Sequence, residues 1–231
     1  MEASMRVGLI ADDDAYFRMA VGAILTRQLG FSQVVEAGSL DEALERLGEY
    51  AGTCAALFDL SMPGMTTPTD LRAVRENFPL ARVAVISGST SRRDILLALE
   101  AGVHGYVPKC LSIAELTGAL QSVFEGSIYV PALLADVDSA TDESVADSPD
   151  RSEPEGLDPA HILTQRQQEV LDLLVQGKSN KEIALALKLS EGTVKIHLAA
   201  IFRHFGVNNR AAAAVAGARP HFNGRRFIKT H

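Results

Sequence analysis

The chain has 231 residues, of which 47% are hydrophobic, and a formal net charge of −7 at pH 7. Because it has no apolar run of about 18 residues, the sequence predicts no transmembrane helix. Its first residues also lack the basic and apolar segments of a signal peptide. Cys54 and Cys110 are far apart, and without an export signal they are expected to be free thiols. These features predict a cytoplasmic protein of one or two domains.

Charge is unevenly distributed along the chain. Residues 1–130 hold 10 Lys and Arg against 16 Asp and Glu, a net charge of −6. Residues 131–160 hold 1 against 9, which gives −8, and residues 161–231 hold 11 against 4, which gives +7. The basic block favours a separate second domain and predicts a polyanion as the partner of that block alone.

Short apolar runs alternate with amphipathic segments in the first part of the chain. The predicted strands are 6–11, 33–37, 54–58, 82–87 and 105–107. The predicted helices are 14–29, 39–50, 67–77, 90–101 and 112–125, and the Ser39–Glu42 and Ser112–Glu115 pairs predict capping boxes. This alternation predicts an α/β fold, a doubly wound five-stranded parallel sheet of the flavodoxin-like kind, in a domain spanning 1–130.

The remainder of the chain has a different character. Residues 131–160 are acidic and rich in Ser and Pro, with no aromatic residue, and this composition predicts an extended linker. Helices are then predicted at 164–176, 180–187, 191–205 and 208–217. They form a small all-α domain at 161–218, and a basic tail at 219–231 follows it.

Polar side chains follow four of the predicted strands. Asp12, Asp13 and Asp14 come after the first strand and Asp59 after the third, whereas Ser87 ends the fourth and Lys109 follows the fifth. In a doubly wound sheet, ligands bind outside the carboxyl ends of the strands. Clustered carboxylates suit Mg²⁺, which also takes phosphate oxygens and water. The pattern predicts a Mg²⁺ site at which a carboxylate accepts a phosphoryl group.

Each of these residues also has a purely structural interpretation. Residues 12–14 could cap the first helix, where the helix dipole favours negative charge. Asp59 could cap a turn, and Lys109 could be a solvated lysine. The functional interpretation depends on their joint placement after successive strands.

Residues 5–130 resemble the receiver domain of two-component response regulators. The matching segments are ADD at 11–13, DLSMPG at 59–64, SG at 87–88 and GYVPK at 105–109. The resemblance implies that Asp59 is the phosphoacceptor. It also implies the following roles: Asp13 as a direct Mg²⁺ ligand, Asp12 as a ligand mainly through water, the Ser61 backbone carbonyl at the metal, Ser87 and Lys109 at the phosphoryl group, and Tyr106 as the aromatic that reorients with Ser87.

Two receiver positions keep alternatives open. Tyr106 could simply be a core residue at a strand end. Asp14 stands where close relatives often have histidine, so it could alter metal affinity or phosphoryl lifetime, or point into solvent.

The third helix of the basic domain is amphipathic. Its apolar residues recur at helical spacing and predict one buried stripe, formed by Val194, Leu198, Ile201 and Phe205. The opposite side would face a major groove. The residues expected there are Glu191, Lys195, Ile196 and Ala199, and Ser190 is the expected N-cap.

Residues 164–213 resemble the helix-turn-helix domain of the LuxR/NarL (FixJ) family through SNKEIA, SEGTVK and NR. Basic side chains would position the helix on phosphate, and base-edge contacts would specify sequence. The residues expected at double-stranded DNA are Lys178, Ser179, Asn180, Lys181, Thr193, Lys195, Ile196, His197, Arg203 and Arg210. By resemblance, Lys195 and Ile196 would contact bases.

Several positions in this domain keep alternatives open or depart from the family pattern. His197 could be a helix-packing residue, and Glu182 is expected to support packing or a local salt bridge. Ala199 is shorter than the residue common in relatives and would narrow base readout. His204 and Phe205 replace a common Lys-Leu pair, which removes one cation.

The two resemblances together imply a response regulator. A sensor histidine kinase would phosphorylate Asp59 with Mg²⁺ bound, and the phosphorylated chain would form a homodimer, through the helix at 208–217, and bind DNA. Two alternatives remain: an orphan regulator that binds DNA without phosphorylation, and a Mg²⁺-dependent phosphohydrolase with Asp59 as nucleophile. Against the enzyme, Ser61 stands where such hydrolases carry a second carboxylate.

Overall fold

The computed structural model describes residues 5–132 and 163–218. The chain divides into two compact units, Met1–Ile162 and Leu163–His231, and each is described by itself. Most of the predicted linker at 131–160 and the whole basic tail at 219–231 lie outside the described residues. Within the described ranges, no helix is both long enough and apolar enough to cross a membrane.

The first unit contains a five-stranded parallel sheet with the order β2-β1-β3-β4-β5. Its strands are β1 (Val7–Ala11), β2 (Gln33–Ala37), β3 (Thr53–Phe58), β4 (Arg82–Ser87) and β5 (Tyr106–Pro108). Its helices are α1 (Ala15–Arg27), α2 (Leu40–Glu49), α3 (Asp70–Asn77), α4 (Arg92–Glu100) and α5 (Ile113–Phe124). The predicted fold class is confirmed.

The sheet is covered on both faces, as its continuous apolar strands require. All five residues of β1 are buried. On one face, Val21 of α1 and Leu120 of α5 join a core with Leu57 of β3 and Ile86 of β4. This packing holds the carboxyl ends of the strands at one edge of the sheet, where the predicted polar residues follow.

Side-chain caps fix where helices of the first unit begin. Ser112 and Glu115 form the predicted capping box at the start of α5. At α2 only half of the predicted box is present. The Ser39 side chain accepts from the Glu42 N–H, but the Glu42 carboxylate accepts from Gly38 N–H at 2.8 Å instead of from Ser39.

The second unit consists of four helices in the described range 163–218: α6 (Gln165–Val175), α7 (Asn180–Leu187), α8 (Glu191–His204) and α9 (Arg210–Gly217). The predicted stripe on α8 enters the core through Val194, Leu198 and Ile201, with Phe205 partly buried beside it. Lys188 adopts the left-handed conformation, φ 56°, and ends α7. Ser190 then caps α8, so a tight turn joins α7 to α8.

Candidate functional site

Three carboxylates meet at the carboxyl edge of the sheet. Asp12 follows β1 and Asp59 follows β3, and the Asp59 N–H donates to Ala11 O at 2.8 Å, which places the two strand ends side by side. Asp12, Asp13 and Asp59 each offer a carboxylate oxygen, and these oxygens lie within 4.8 Å of one another. The Asp12 and Asp59 side chains are only 2% exposed, whereas Asp13 is exposed.

Lys109 completes the acidic cluster from the end of β5. Its Nζ lies 2.7 Å from Asp12 Oδ2 and 3.3 Å from Asp59 Oδ2. The same Nζ lies 4.7 Å from the centre of the Phe17 ring. Burial by itself lowers the pKa of Lys109, but the hydrogen bond to Asp12 and the charges of Asp59 and Asp12 outweigh burial and raise the pKa. The lysine is therefore held in its charged form beside the carboxylates.

Asp59 is the least satisfied member of the cluster. Burial raises its pKa, Lys109 opposes that rise, and the charge of Asp12 adds to it. A backbone hydrogen bond from Ser61 also lowers the pKa. Within the described residues, Asp59 Oδ1 is buried without a hydrogen-bond partner. A buried carboxylate oxygen beside two other carboxylates fits a divalent cation or a phosphoryl group, since either would satisfy it.

Ser87 and Tyr106 lie on the two strands beyond β3. Ser87 is fully buried, and its Oγ accepts from the Ser89 N–H at 3.2 Å. Tyr106 is also fully buried, and its hydroxyl donates to Ser89 O at 2.8 Å. Both side chains therefore meet the loop that follows β4, and Tyr106 is a core residue in this conformation.

Asp14 caps α1. Its Oδ1 accepts from Tyr16 N–H at 2.9 Å and from Phe17 N–H at 3.2 Å. Its own N–H donates to Asp12 Oδ1 at 2.9 Å. The capping interpretation thus holds for Asp14, an exposed residue whose Oδ1 is bonded to the first turn of the helix.

Arg18 is a member of the site that the sequence patterns did not predict. It lies on α1, and its Nη1 donates to the Asp12 carbonyl at 2.6 Å. Its Nε donates to Glu36 Oε2 at 3.0 Å. No sequence pattern pointed to Arg18, because neither of its partners lies at i+3 or i+4 on the same helix.

In the second unit, exposed cations lie at the start of α7 and along α8. Lys178, Lys181, Lys195 and Arg203 are all exposed. Arg210 is engaged instead, because it donates to Asn180 Oδ1 at 2.8 Å and to the Lys178 carbonyl. This pairing joins the start of α9 to the start of α7.

Ser179 and Glu182 form a capping box at α7. The Glu182 carboxylate accepts from the Ser179 N–H and hydroxyl, both at 2.8 Å. Lys178 Nζ lies 3.7 Å from Glu182. The expectation that Glu182 supports the local structure is confirmed, and the Ser179 hydroxyl is occupied by it.

Three of the residues expected at DNA are buried in α8. Thr193 and His197 are almost fully buried, and Ile196 is only 4% exposed. The prediction that Ile196 lies on the exposed side with Lys195 is therefore wrong for this conformation. The physical reason is that α8 contacts α6, α7 and α9, so more of its circumference is covered than one apolar stripe indicates. Glu191, Lys195 and Ala199 are exposed as predicted.

His197 behaves as a packing residue. Burial, together with the charge of Arg166 on α6, lowers its pKa to about 4, although the charge of Glu169 opposes both. The imidazole is therefore neutral at physiological pH, in agreement with the packing alternative.

Two family models match the chain. The model for the response regulator receiver domain matches residues 9–121, and the model for bacterial regulatory proteins of the luxR family matches residues 161–216. The chain is 32% identical to the glycerol metabolism activator of Pseudomonas putida, over 90% of this chain and 93% of that protein. It is 31% identical to the nitrate/nitrite response regulator protein NarP of Escherichia coli K12, over 90% and 92%.

Among solved structures, the chain is similar in fold to the RcsB response regulator of Salmonella typhimurium. The TM-score is 0.51 at 20% identity, with 91% of this chain and 98% of that chain covered. The two family matches and the two relatives agree with the acidic cluster of the first unit and the basic helices of the second. The chain therefore belongs to the two-component response regulators in which a receiver domain precedes a LuxR-type DNA-binding domain, and it is a transcription regulator.

Proposed function

We propose that a sensor histidine kinase phosphorylates Asp59 and that phosphorylation controls dimerisation and sequence-specific DNA binding. Residues 1–130 are the receiver domain in this proposal, 131–160 the linker and 161–218 the DNA-binding domain. The observation that carries the proposal is the Asp59 carboxylate. It is buried, one oxygen has no partner among the described residues, and Lys109 lies 3.3 Å from the other.

The phosphoryl transfer follows from this arrangement. Asp59 Oδ1 attacks the phosphorus, a P–O bond forms, and the P–N bond to the kinase histidine breaks. Lys109 holds Asp59 ionised before attack, and afterwards pairs with the phosphoryl oxygens, where Ser87 donates its hydroxyl. Asp12, Asp13, Asp59 and the Ser61 carbonyl would hold Mg²⁺, and the bound ion would neutralise charge on the phosphoryl group.

The switch would start from the loop after β4. Ser87 accepts from the Ser89 N–H, and Tyr106 donates to the Ser89 carbonyl. A phosphoryl group that draws the Ser87 hydroxyl toward itself would move the side chain away from the Ser89 N–H and favour a new position of Tyr106. Phosphorylation then shifts the population between two receiver conformations.

The output would be read by α8 and its neighbours. Lys178, Lys181 and Arg203 are exposed and suit phosphate, and Lys195 is the exposed member of the pair expected at bases. Thr193, Ile196 and His197 can contact DNA only if the helices that pack against α8 move on binding. Arg210 and Asn180 are hydrogen-bonded to each other, and this bond holds the turn at Lys178 in place.

Dimerisation suits this output because a two-fold protein matches a palindromic site. The proposed contact is α9. Ala211 and Val215 are exposed and lie one turn apart on it, and such small side chains allow a second helix to approach closely.

The test is DNA binding to a selected palindromic library, with and without a small-molecule phosphoryl donor and Mg²⁺. Wild type is compared with Asp59→Asn. Lys195→Ala is the control variant, because it still accepts a phosphoryl group at Asp59. Tighter binding or dimer formation with donor only when Asp59 is present supports the phosphoswitch.

Two other results would replace the proposal. Equal binding by wild type and Asp59→Asn, unaffected by donor, would leave an orphan regulator that binds DNA without phosphorylation. Release of free phosphate from small phosphoesters with turnover would instead favour the phosphohydrolase.

A further inference from the structure

Arg18 bridges two elements directly behind the acidic cluster. Its side chain is 17% exposed, its Nη1 donates to the Asp12 carbonyl at 2.6 Å, and its Nε donates to Glu36 Oε2 at 3.0 Å. Glu36 belongs to β2 and Arg18 to α1. One guanidinium therefore links β2 and α1 to Asp12, the first residue of the acidic cluster.

The segment that Arg18 holds lies outside the regular sheet. Asp12 leaves β1 with its N–H donating to Ala37 O at 3.0 Å, and its Oδ1 accepts from the Asp14 N–H at 2.9 Å. These two bonds fix the amide and the side chain of Asp12. The bond from Arg18 fixes the third polar group, the carbonyl, and with it the peptide plane that leads into Asp13.

The orientation of that peptide matters because Asp13 is exposed. Burial does not hold an exposed carboxylate in position, so its placement beside Asp12 and Asp59 depends on the backbone. Outer residues that fix ligand orientation typically change metal affinity about 10- to 100-fold when they are removed. A half-buried carbonyl left without a donor would also favour a different backbone conformation.

We propose that Arg18 is a positioning residue for Mg²⁺ binding by Asp12 and Asp13, and that Glu36 positions Arg18. This inference rests on the proposed function, because it assumes that the cluster binds Mg²⁺. Arg18 is expected to act by orienting the peptide after Asp12 more than by its charge, because its guanidinium is already paired with the Glu36 carboxylate at 3.0 Å.

The experiment measures the Mg²⁺ dissociation constant of the full chain by calorimetric titration with MgCl₂, without phosphoryl donor. The variants are Arg18→Met and, as a matched control, Arg6→Met. Arg6 also donates through Nη1 to a backbone carbonyl, that of Leu29 at 2.8 Å, but it precedes β1 at the opposite end of the strand. Thermal unfolding without Mg²⁺ is measured for each variant.

Arg18→Met is expected to weaken Mg²⁺ binding about tenfold, the lower end for residues that orient ligands, while Arg6→Met leaves it unchanged. Both variants lose a bond to a carbonyl, so a merely structural role would lower both unfolding temperatures and leave both Mg²⁺ affinities alone. Unchanged Mg²⁺ affinity in Arg18→Met, with wild type binding normally, would overturn the inference and leave the proposed function standing.

Glu36→Gln keeps the proposal testable if Arg18→Met does not fold. It retains an acceptor oxygen but weakens the hold on the guanidinium, so Mg²⁺ affinity is expected to fall about threefold. An affinity equal to that of wild type would refute the positioning role. Absence of Mg²⁺ binding by the wild-type chain would instead overturn the Mg²⁺ part of the proposed function, and this inference with it.

Discussion

The buried carboxylate of Asp59 is costly to the fold that contains it. Burial and the charge of Asp12 raise its pKa, and Lys109 compensates only in part. A carboxyl group whose pKa is higher in the folded than in the unfolded state destabilises the fold when it is ionised. The penalty is fully present above the folded pKa and disappears as the pH falls below the unfolded value.

Asp59→Asn is therefore expected to raise the free energy of unfolding at pH 7.5 by about 1 kcal/mol, the ordinary scale for one substitution. Urea unfolding of both proteins without Mg²⁺, at pH 7.5 and again at pH 4, measures the difference. The gain should shrink at the lower pH, where wild-type Asp59 becomes protonated, and it should shrink on adding Mg²⁺, which stabilises only the wild type appreciably. A less stable Asp59→Asn at pH 7.5 would contradict this account.

His197 has the opposite pH dependence. Burial and Arg166 lower its pKa to about 4, below the value of about 6.5 in an unfolded chain. The folded state therefore keeps the imidazole neutral. The stability contributed by this group is complete above about pH 6.5 and is lost as the pH falls toward 4, by up to about 1.4 kcal/mol per pH unit.

His197→Gln should lessen the loss of stability of the second unit between pH 7 and pH 5. Chemical unfolding of the full chain, monitored by hydrogen exchange of the amides in α6 and α8, checks this expectation. Glutamine has a similar size and can keep a hydrogen bond, so the comparison concerns titration more than packing. An unchanged pH dependence in the variant would reassign the loss to other titratable groups of the second unit.

Single residues differ in how far the sequence alone could place them. Asp12, Asp59 and Lys109 were predictable because each directly follows a strand, and parallel strands end at one edge. Arg18 was not, because its partners are a backbone carbonyl and a glutamate on another strand. The burial of Ile196 was missed because one apolar stripe says nothing about cover on the other sides of a central helix.

At the scale of elements, apolar runs predicted all five strands of the sheet to within one residue at each end. The start of α3 differs more: it was predicted at 67, and the helix begins at Asp70. Asp70 Oδ2 accepts from Thr66 N–H at 3.0 Å and from Thr67 N–H at 3.1 Å. These bonds hold residues 66–69 in a turn before the helix. Side-chain hydrogen bonds to the backbone compete with helix formation in this way.

Two helical glycines are expected to respond oppositely to alanine. A Cβ on Gly118, in the middle of α5, meets nothing within 4 Å, so Gly118→Ala should stabilise by up to about 1 kcal/mol through helix propensity. A Cβ on Gly217 would lie 2.6 Å from Leu171 Cδ1. Leu171 is a buried core residue, so Gly217→Ala should destabilise by about 1–3 kcal/mol despite better propensity.

Thermal unfolding of the full chain with both alanine variants measures this contrast. The Gly118 variant should raise the unfolding temperature of the first unit and leave the second unchanged. The Gly217 variant should lower that of the second unit only. A stabilising Gly217→Ala would mean that Leu171 repacks without cost and that α9 is not tightly fitted against α6.

At the scale of the whole molecule, charge separates the two functions along the chain. Residues 1–130 carry a net charge of −6 and residues 161–231 carry +7. The carboxylate cluster of the acidic part suits a metal ion and a phosphoryl group, and the basic part suits the phosphates of DNA. Each protomer should therefore approach DNA through its second unit, and the affinity should depend strongly on salt.

Lys181 and Lys195 are both exposed, but they are expected to act differently on DNA. Lys181→Ala should weaken binding to all sequences alike, and Lys195→Ala should weaken binding to the selected site more than to random DNA. Competition titrations with the two DNAs distinguish the roles. Equal losses for Lys195→Ala would reassign it to phosphate contact.

The salt dependence of the same titrations counts the protomers on DNA. Each phosphate contact contributes a slope of about −0.9 in log affinity against log salt concentration. Lys181→Ala should therefore reduce the slope by about 0.9 for one bound protomer and by about 1.8 for a two-fold dimer. With a phosphoryl donor the larger change is expected in a chain that retains Asp59, and the smaller change in the same chain carrying Asp59→Asn. A change of about 1.8 in both would mean that the dimer forms on DNA without phosphorylation.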